Sequence, residues 1–70
     1  MGTLKDQLYH ILTESMESGS LETGLVLLES NISELFKISR SPVRQTLERL
    51  HNEGKISRFD GRGYLVGSQP

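Results

Sequence analysis

The segment Asp60-Gly61-Arg62-Gly63 is a strong signal for a tight β-hairpin turn, and it constrains the fold of this chain more than any other feature. Its two glycines and its acidic residue are typical of such turns. The segments on either side contain apolar residues, and we predict them to be two strands, Lys55 to Phe59 and Tyr64 to Val66. Residues 59–64 would then form a small protruding wing.

Two segments nearer the N-terminus have the apolar spacing of helices. The first begins after Thr3, a suitable N-cap residue, and stops near Gly19. The second is short, takes Ser30 or Asn31 as its N-cap and ends near Phe36. The apolar residues that we expect these two helices to bury are Leu4, Leu8, Ile11, Leu12, Ile32, Leu35 and Phe36.

A third helix is predicted over about residues 39–53. Two starting points are compatible with its sequence. Either Ser39 is the N-cap and Pro42 lies in the first turn, or Ser41 is the N-cap and Pro42 takes the first helical position. The residues that would face the core from this helix are Val43, Leu47 and Leu50.

The order of these elements predicts the fold class. All 70 residues should form one domain, 1–70, with its core over about residues 4–66. The run Leu25-Val26-Leu27-Leu28 is too short for a helix and favours a small extra strand near Leu25 to Leu27. The predicted class is α+β, mainly α: a winged helix-turn-helix with three helices and a C-terminal two-stranded β-hairpin wing.

Composition excludes several classes of protein. The chain has no cysteine, and its two histidines are far apart, so we expect no metal site and no cofactor. No apolar run approaches the ~20 residues of a membrane span, and no segment resembles a signal peptide. We therefore expect a cytoplasmic protein that has no membrane partner.

The basic residues are concentrated in one part of a nearly neutral chain. Seven of the eight lysine and arginine residues lie between Lys37 and Arg62, where three acidic residues leave a net charge of +4. Residues 1–36 carry one lysine and six acidic residues, a net charge of −5. This asymmetry is typical of a protein that brings a cationic surface to a polyanion. We expect the basic residues of this surface to be unpaired within the chain.

Two helices joined by a short turn, the second one basic at its start, indicate a helix-turn-helix, which inserts its second helix into the major groove of duplex DNA. Arg40 and Arg44 are four positions apart, so they share one helix face, about 6 Å apart along the axis. Cations in a first turn oppose the helix dipole, and an external anion such as a DNA phosphate would explain them. The residues of this helix that we predict to contact DNA are Arg40, Ser41, Arg44, Gln45 and Arg49.

Two of these arginines also have a structural alternative. Arg44 can pair with Glu48, and Arg49 with Glu53, since both pairs have the i, i+4 spacing. If the helix does enter the groove, an arginine could read guanine and Gln45 could read adenine, because both pairings are bidentate. The sequence alone does not assign each side chain to a base or to a phosphate.

The wing adds three candidate residues for DNA contact, Gly61, Arg62 and Gly63. Glycines let the backbone approach a ligand closely, so this tip would place its arginine on a phosphate or in the minor groove. An ordinary hairpin turn with an incidental arginine would explain the same residues without DNA.

Sequence-specific binding of double-stranded DNA is the function that these features favour. The alternative is a winged-helix protein–protein interaction module that uses the basic face of the third helix. Such a face should carry an exposed apolar anchor, and the third helix has none. The sequence contains no nucleophile–base pair, no carboxylate pair and no phosphate-binding glycine loop, so we do not expect an enzyme.

The motifs around the third helix resemble the GntR family of bacterial transcription regulators, which carry an N-terminal winged helix-turn-helix. The resemblance covers about residues 4–66. Its most specific part is the run Ser39-Arg40-Ser41-Pro42-Val43-Arg44. The other residues that carry it are Gly24, Leu27, Glu29, Ile32, Glu34, Leu47, Leu50, Glu53, Gly54, Arg62 and Gly63.

The resemblance implies a reading head for a transcription regulator. It implies that Arg40, Arg44 and the wing around Gly61–Gly63 touch the operator, and that Ser39 bonds a phosphate near the helix start. It also implies a homodimer of the full-length protein on a palindromic operator. A small-molecule effector would act through a C-terminal domain absent from this chain, and the Leu27-x-Glu29 spacing is similar to the branch in which that domain is all-helical.

The chain departs from the family pattern at several positions. Lys37 stands where a glycine is usual in the turn between the two helices, so we expect a strained or reshaped turn. Ser30 stands where many relatives have an arginine that helps to bind DNA. These departures bear on sequence preference more than on DNA binding itself.

Overall fold

The computed structural model of the protein describes residues 3–59 and 63–67, which form three helices and a small antiparallel sheet. The elements in chain order are α1 (Leu4–Ser18), β1 (Val26–Leu28), α2 (Glu29–Phe36), α3 (Arg40–Asn52), β2 (Ile56–Phe59) and β3 (Gly63–Val66). The predicted class, mainly α with a hairpin and one extra strand, is confirmed. The extra strand begins at Val26, one residue later than predicted.

Helix α1 has the ends that its sequence predicts. The backbone N–H of Asp6 donates to the Thr3 hydroxyl, and the backbone N–H of Thr3 donates to the Asp6 carboxylate, both at 3.2 Å. The bond from the Thr3 backbone holds the pKa of Asp6 below its usual value. Gly19 ends the helix in a left-handed conformation, with φ of 87°, which a residue without Cβ adopts at little cost.

The prediction that Ser30 or Asn31 caps α2 is wrong. The helix begins at Glu29, and Leu28 occupies its N-cap without a side-chain hydrogen bond. Because Leu28 is also the last residue of β1, paired with Gly63, the chain passes directly from the sheet into the helix. Glu29 therefore lies in the first turn, where the positive end of the helix dipole stabilises a carboxylate.

Helix α3 begins at Arg40, with Ser39 at its N-cap position. This decides between the two starting points that the sequence allows, and it puts Pro42 in the first turn. The helix ends at Asn52, close to the predicted end.

The turn between α2 and α3 consists of three residues, and its first residue is strained. Lys37 has φ of 57° and ψ of 46°, in the left-handed region that glycine prefers. The backbone N–H of Ile38 donates to the Ser33 carbonyl at 3.1 Å, and the Ser33 hydroxyl donates back to the Ile38 carbonyl. These bonds hold the entry into α3 at a defined angle to α2. The positive φ of Lys37 confirms the expectation of strain at this position.

The sheet has the strand order β1-β3-β2, so β3 is central and pairs antiparallel with both neighbours. Gly63 is buried at the start of β3, opposite Leu28 on one side and Phe59 on the other. A Cβ atom at Gly63 would lie 2.7 Å from the Leu27 carbonyl oxygen. The glycine at this position is therefore required by the close approach of β1.

The core lies where the three helices meet the sheet. Its centre consists of residues from α3, which are fully buried: Val43, Leu47 and Leu50. The other buried apolar residues are Leu8, Leu12, Leu27, Ile32, Ile56, Tyr64 and Val66.

Three residues that the sequence predicts to be buried are exposed. Leu35 has 75% of its surface exposed, and Leu4 and Ile11 have 49% and 43%. Helix α2 has only eight residues, and Ile32 and Phe36, four positions apart, provide its contact with the core. Leu35 lies beside that ridge rather than on it.

None of the helices within residues 3–59 and 63–67 has the length and apolar character needed to cross a membrane.

Candidate nucleic-acid interface

The first two turns of α3 present a polar face opposite the core. Val43 and Leu47 are buried, whereas the predicted DNA-contacting residues of these turns are exposed. Those residues are Arg40, Ser41, Arg44 and Gln45. The Gln45 amide donates to the Ser41 hydroxyl at 3.3 Å, which links two of them along the face. Thirteen residues make α3 about 20 Å long, enough to lie in a major groove ~12 Å wide.

The start of α3 has the electrostatic character of an anion site. The first turn holds no acidic residue, and the Ser39 side chain makes no capping hydrogen bond. In the part of the chain that the structure describes, Arg40 is exposed and has no acidic partner within 4.0 Å. The backbone N–H groups of a first turn, the positive end of the dipole and a nearby cation all favour a negative ligand.

Arg44 is paired with an acid, but with a different one from that expected. Its Nε donates to Oε2 of Glu29 at 3.2 Å, so the ion pair joins α3 to the start of α2 rather than to Glu48. The hydrogen bond from Arg44 to Glu29, and then the Glu29 charge, raise the pKa of Arg44. The i, i+4 rule could not find this partner because it lies fifteen positions away in the sequence.

Arg49 belongs to the contact between α1 and α3. Its guanidinium carbon lies 3.7 Å from the centre of the Tyr9 ring, and its Nε is 3.4 Å from a carboxylate oxygen of Glu53. A second carboxylate, of Asp6 in α1, lies 3.8 Å away. The pairing with Glu53 confirms the structural alternative for this residue. The expectation that the basic surface is unpaired within the chain is wrong for Arg44, Arg49 and Lys55, since each has an acidic partner.

Tyr9 connects this cluster to the start of the hairpin. Its hydroxyl donates to Glu53 and accepts from the Lys55 ammonium at 3.1 Å. The hydrogen bond that Tyr9 donates is the main reason why the pKa of Glu53 is lowered. The hydrogen bond that Tyr9 accepts is the main reason why the pKa of Lys55 is raised. The cluster holds Arg49 on the side of α3 that faces α1, away from the Arg40 end of the helix.

The wing is only partly within the described residues. Strands β2 and β3 bring residues 59 and 63 together, as the predicted hairpin requires. The candidates Gly61 and Arg62 lie outside the described residues. Gly63 is accounted for by its contact with β1, and its contact with DNA stays a prediction. Within residues 3–59 and 63–67, no group of three or more acidic, histidine or cysteine side chains could hold a metal ion.

Comparison with known proteins decides the family. The sequence model for bacterial regulatory proteins of the gntR family matches residues 4–66. The chain belongs to the GntR family. This family consists of transcription regulators rather than enzymes, and the chain corresponds to its helix-turn-helix DNA-binding domain.

The GntR relatives include two repressors of Bacillus subtilis. The chain is 45% identical over 49 residues to the gluconate operon transcriptional repressor, a match that covers 70% of this chain and 20% of the repressor. It is 39% identical over 61 residues to the HTH-type transcriptional repressor NagR, covering 86% of this chain and 25% of NagR. The chain thus spans about a fifth to a quarter of these relatives.

A solved GntR-type structure supports the winged-helix fold. The E. coli protein McbR/YncC superimposes with a TM-score of 0.90 at 28% identity, covering 97% of this chain and 32% of that protein. A second structure, described as Lar, which controls the expression of the Listeria monocytogenes agr system, has a TM-score of 0.83. The predicted winged helix-turn-helix is therefore confirmed.

Proposed function

We propose that this chain binds double-stranded DNA sequence-specifically and is the reading head of a bacterial transcription regulator. In this proposal α3 enters the major groove by its N-terminal end. The wing, residues 59–64, contacts the backbone or the minor groove. The observation that carries the proposal is the exposed face of Arg40, Ser41, Arg44 and Gln45 at a helix start that contains no acid.

The polar residues of α3 and its N-cap suit different contacts with DNA. Ser39 and the first backbone N–H groups of α3 bond a phosphate, since that hydroxyl is not used to cap the helix. Arg40 neutralises phosphate or reads a base, and Gln45 suits adenine. Arg44 suits guanine, because its guanidinium can donate two parallel hydrogen bonds to that base. Arg49 is held by Tyr9 and Glu53, so its contribution to binding is smaller than that of Arg40.

The use of α3 as a protein-docking face is less well supported. Hot spots of protein interfaces are enriched in tryptophan and tyrosine as well as arginine, and they lie in well-packed, desolvated pockets. Helix α3 exposes no tryptophan or tyrosine. The exposed residues of α3 are all polar or charged: Arg40, Ser41, Arg44, Gln45, Glu48, Arg49 and Asn52. A face of this composition suits the phosphates and base edges of DNA.

In the full-length regulator, two copies would bind a palindromic operator as a homodimer, with half-sites one helical turn or ~34 Å apart. One copy offers a small interface, and a second copy raises the affinity to a useful level. The relatives are four to five times longer than the matched segment. That length leaves room for a C-terminal domain that dimerises and binds a small-molecule effector.

Substitution of Arg40 and Arg44, one at a time, by alanine tests the proposal. Duplexes selected by the wild-type chain from a random pool serve as the ligand, and affinity is measured against salt and against every single-base change. If the arginine only holds a phosphate, its loss should weaken the binding of all duplexes alike and reduce the salt slope by about one. If it reads a base, its loss should instead remove discrimination at one position, about 1–3 kcal/mol in binding free energy. Unaltered affinity, salt slope and discrimination in both variants would contradict the proposed role of α3.

A further inference from the structure

The ion pair between Arg44 and Glu29 joins the two helices of the helix-turn-helix. The donor is Arg44 Nε and the acceptor is Glu29 Oε2, at 3.2 Å. The Arg44 side chain is 58% exposed, and that of Glu29 is 26% exposed. The acid is therefore set back towards the protein, and the arginine is the outer member of the pair.

Glu29 is itself well anchored. It is the first residue of α2, a helix whose N-cap residue, Leu28, provides no side-chain hydrogen bond. A carboxylate in the first turn is stabilised by the positive end of the helix dipole, and that of Glu29 is also stabilised by Arg44. Its backbone follows directly after β1, which pairs with β3 through Leu28. Both the backbone and the carboxylate of Glu29 are therefore restrained.

The pairing leaves most of the hydrogen-bonding capacity of Arg44 unused. A guanidinium has five N–H donors, and Glu29 accepts from the one on Nε. Within residues 3–59 and 63–67, no other side chain or carbonyl accepts a hydrogen bond from Arg44. Of the four N–H donors on the terminal nitrogens, two can make a bidentate contact with guanine O6 and N7.

We propose that Glu29 is a positioning residue that holds Arg44 in the orientation in which it reads a base. This inference rests on the proposed DNA binding, and it goes beyond it by assigning specificity to a residue outside α3. An arginine loses rotamer freedom when it binds, and an arginine already held by an acid loses less. The acid also cancels the charge of Arg44, which weakens its attraction to phosphates of any sequence. The first effect favours discrimination between bases, whereas the second lowers the affinity for duplexes of any sequence.

A competing role for Glu29 gives the opposite expectation. If the carboxylate merely occupies Arg44, DNA must displace it before Arg44 can bind. Loss of the contact with Nε would then tighten binding to the selected duplex and leave discrimination unaltered.

Two substitutions of Glu29 separate the effect of its side-chain length from the effect of its charge. Glu29→Asp keeps the charge but withdraws the carboxylate by one methylene, so the contact with Nε is lost. Glu29→Gln keeps the length and an oxygen that can accept from Nε, but it removes the charge. Glu34→Gln is the matched control, because it removes the same charge from the exposed side of the same helix, away from the described contacts of Arg44.

The measurement is the ratio of affinities for the selected duplex and for its single-base variants, with the folded state of each variant checked by thermal unfolding. We expect Glu29→Asp to lower discrimination at one position roughly tenfold, the size of a lost bidentate contact. Glu29→Gln should retain discrimination within about twofold and, like Glu34→Gln, raise the affinity for all duplexes alike through the change in charge. In the Arg44→Ala background, Glu29→Asp should have no further effect on discrimination.

Two results would overturn the positioning role. One is a Glu29→Asp variant that discriminates the selected duplex from its single-base variants as well as the wild-type chain does. The other is an equal loss caused by Glu29→Asp in the absence of the Arg44 side chain, which would mean that Glu29 acts through a different residue. Failure of the wild-type chain to select any sequence is a separate outcome, which would refute the proposed function itself.

Discussion

Replacement of Lys37 by glycine should stabilise the protein. Lys37 is the only described non-glycine residue with a positive φ, 57°, and it lies in the three-residue turn that sets the angle between α2 and α3. The left-handed conformation costs a residue that has a Cβ roughly 1–2 kcal/mol. Glycine avoids that cost but loses about 0.5–1 kcal/mol more backbone entropy on folding.

The net expected gain is about 0.5–1 kcal/mol, the difference between these two terms. Lys37 is exposed, and within residues 3–59 and 63–67 its side chain takes part in no hydrogen bond or ion pair, so little else is lost. For a domain of this size, such a gain raises the melting temperature by about 2–8 °C. Thermal and urea unfolding, followed by circular dichroism, measure it directly.

Lys37→Ala is the matched control, because it removes the same charge but keeps the Cβ atom. Lys37→Asn should be intermediate, since asparagine tolerates the left-handed region better than alanine does. If the glycine variant is no more stable than the alanine variant, backbone strain at position 37 is not the cause of the effect and the reasoning is refuted.

Two further predictions concern the hairpin and the cluster around Tyr9. Gly63→Ala should destabilise the protein by about 1–3 kcal/mol, because its Cβ would lie 2.7 Å from a backbone oxygen of β1; an unchanged urea midpoint would contradict that close approach. The lowered pKa of Glu53 implies stability that is present above the ordinary pKa of 4.5 and is lost as the pH falls through the lowered value in the folded state. Tyr9→Phe removes the main cause of that shift, so the pKa of Glu53, measured by NMR titration, should rise and the acid-induced loss of stability should shrink. An unmoved pKa would mean that Arg49 and Lys55 hold the carboxylate without the hydroxyl.

Much of the fold could be predicted from the sequence because its signals are local. The cap at Thr3 and the left-handed stop at Gly19 depend on neighbours within a few positions. The register of Val43, Leu47 and Leu50 follows from helical periodicity, and all three are fully buried. Local signals failed at Leu35, because a helix of two turns buries only the ridge that meets the core.

In the candidate site, too, the local features could be predicted and the long-range contacts could not. The polar face of α3 could be predicted from the sequence, since spacing along one helix decides which side chains share a face. The choice of Ser39 over Ser41 as the N-cap position came from the structure. Which charges are already paired depends on how the helices pack against one another. Arg44 meets Glu29 because α2 packs on α3, and Arg49 stacks on Tyr9 because α1 does. Partners fifteen and forty positions apart along the chain become neighbours only when the core brings their helices together.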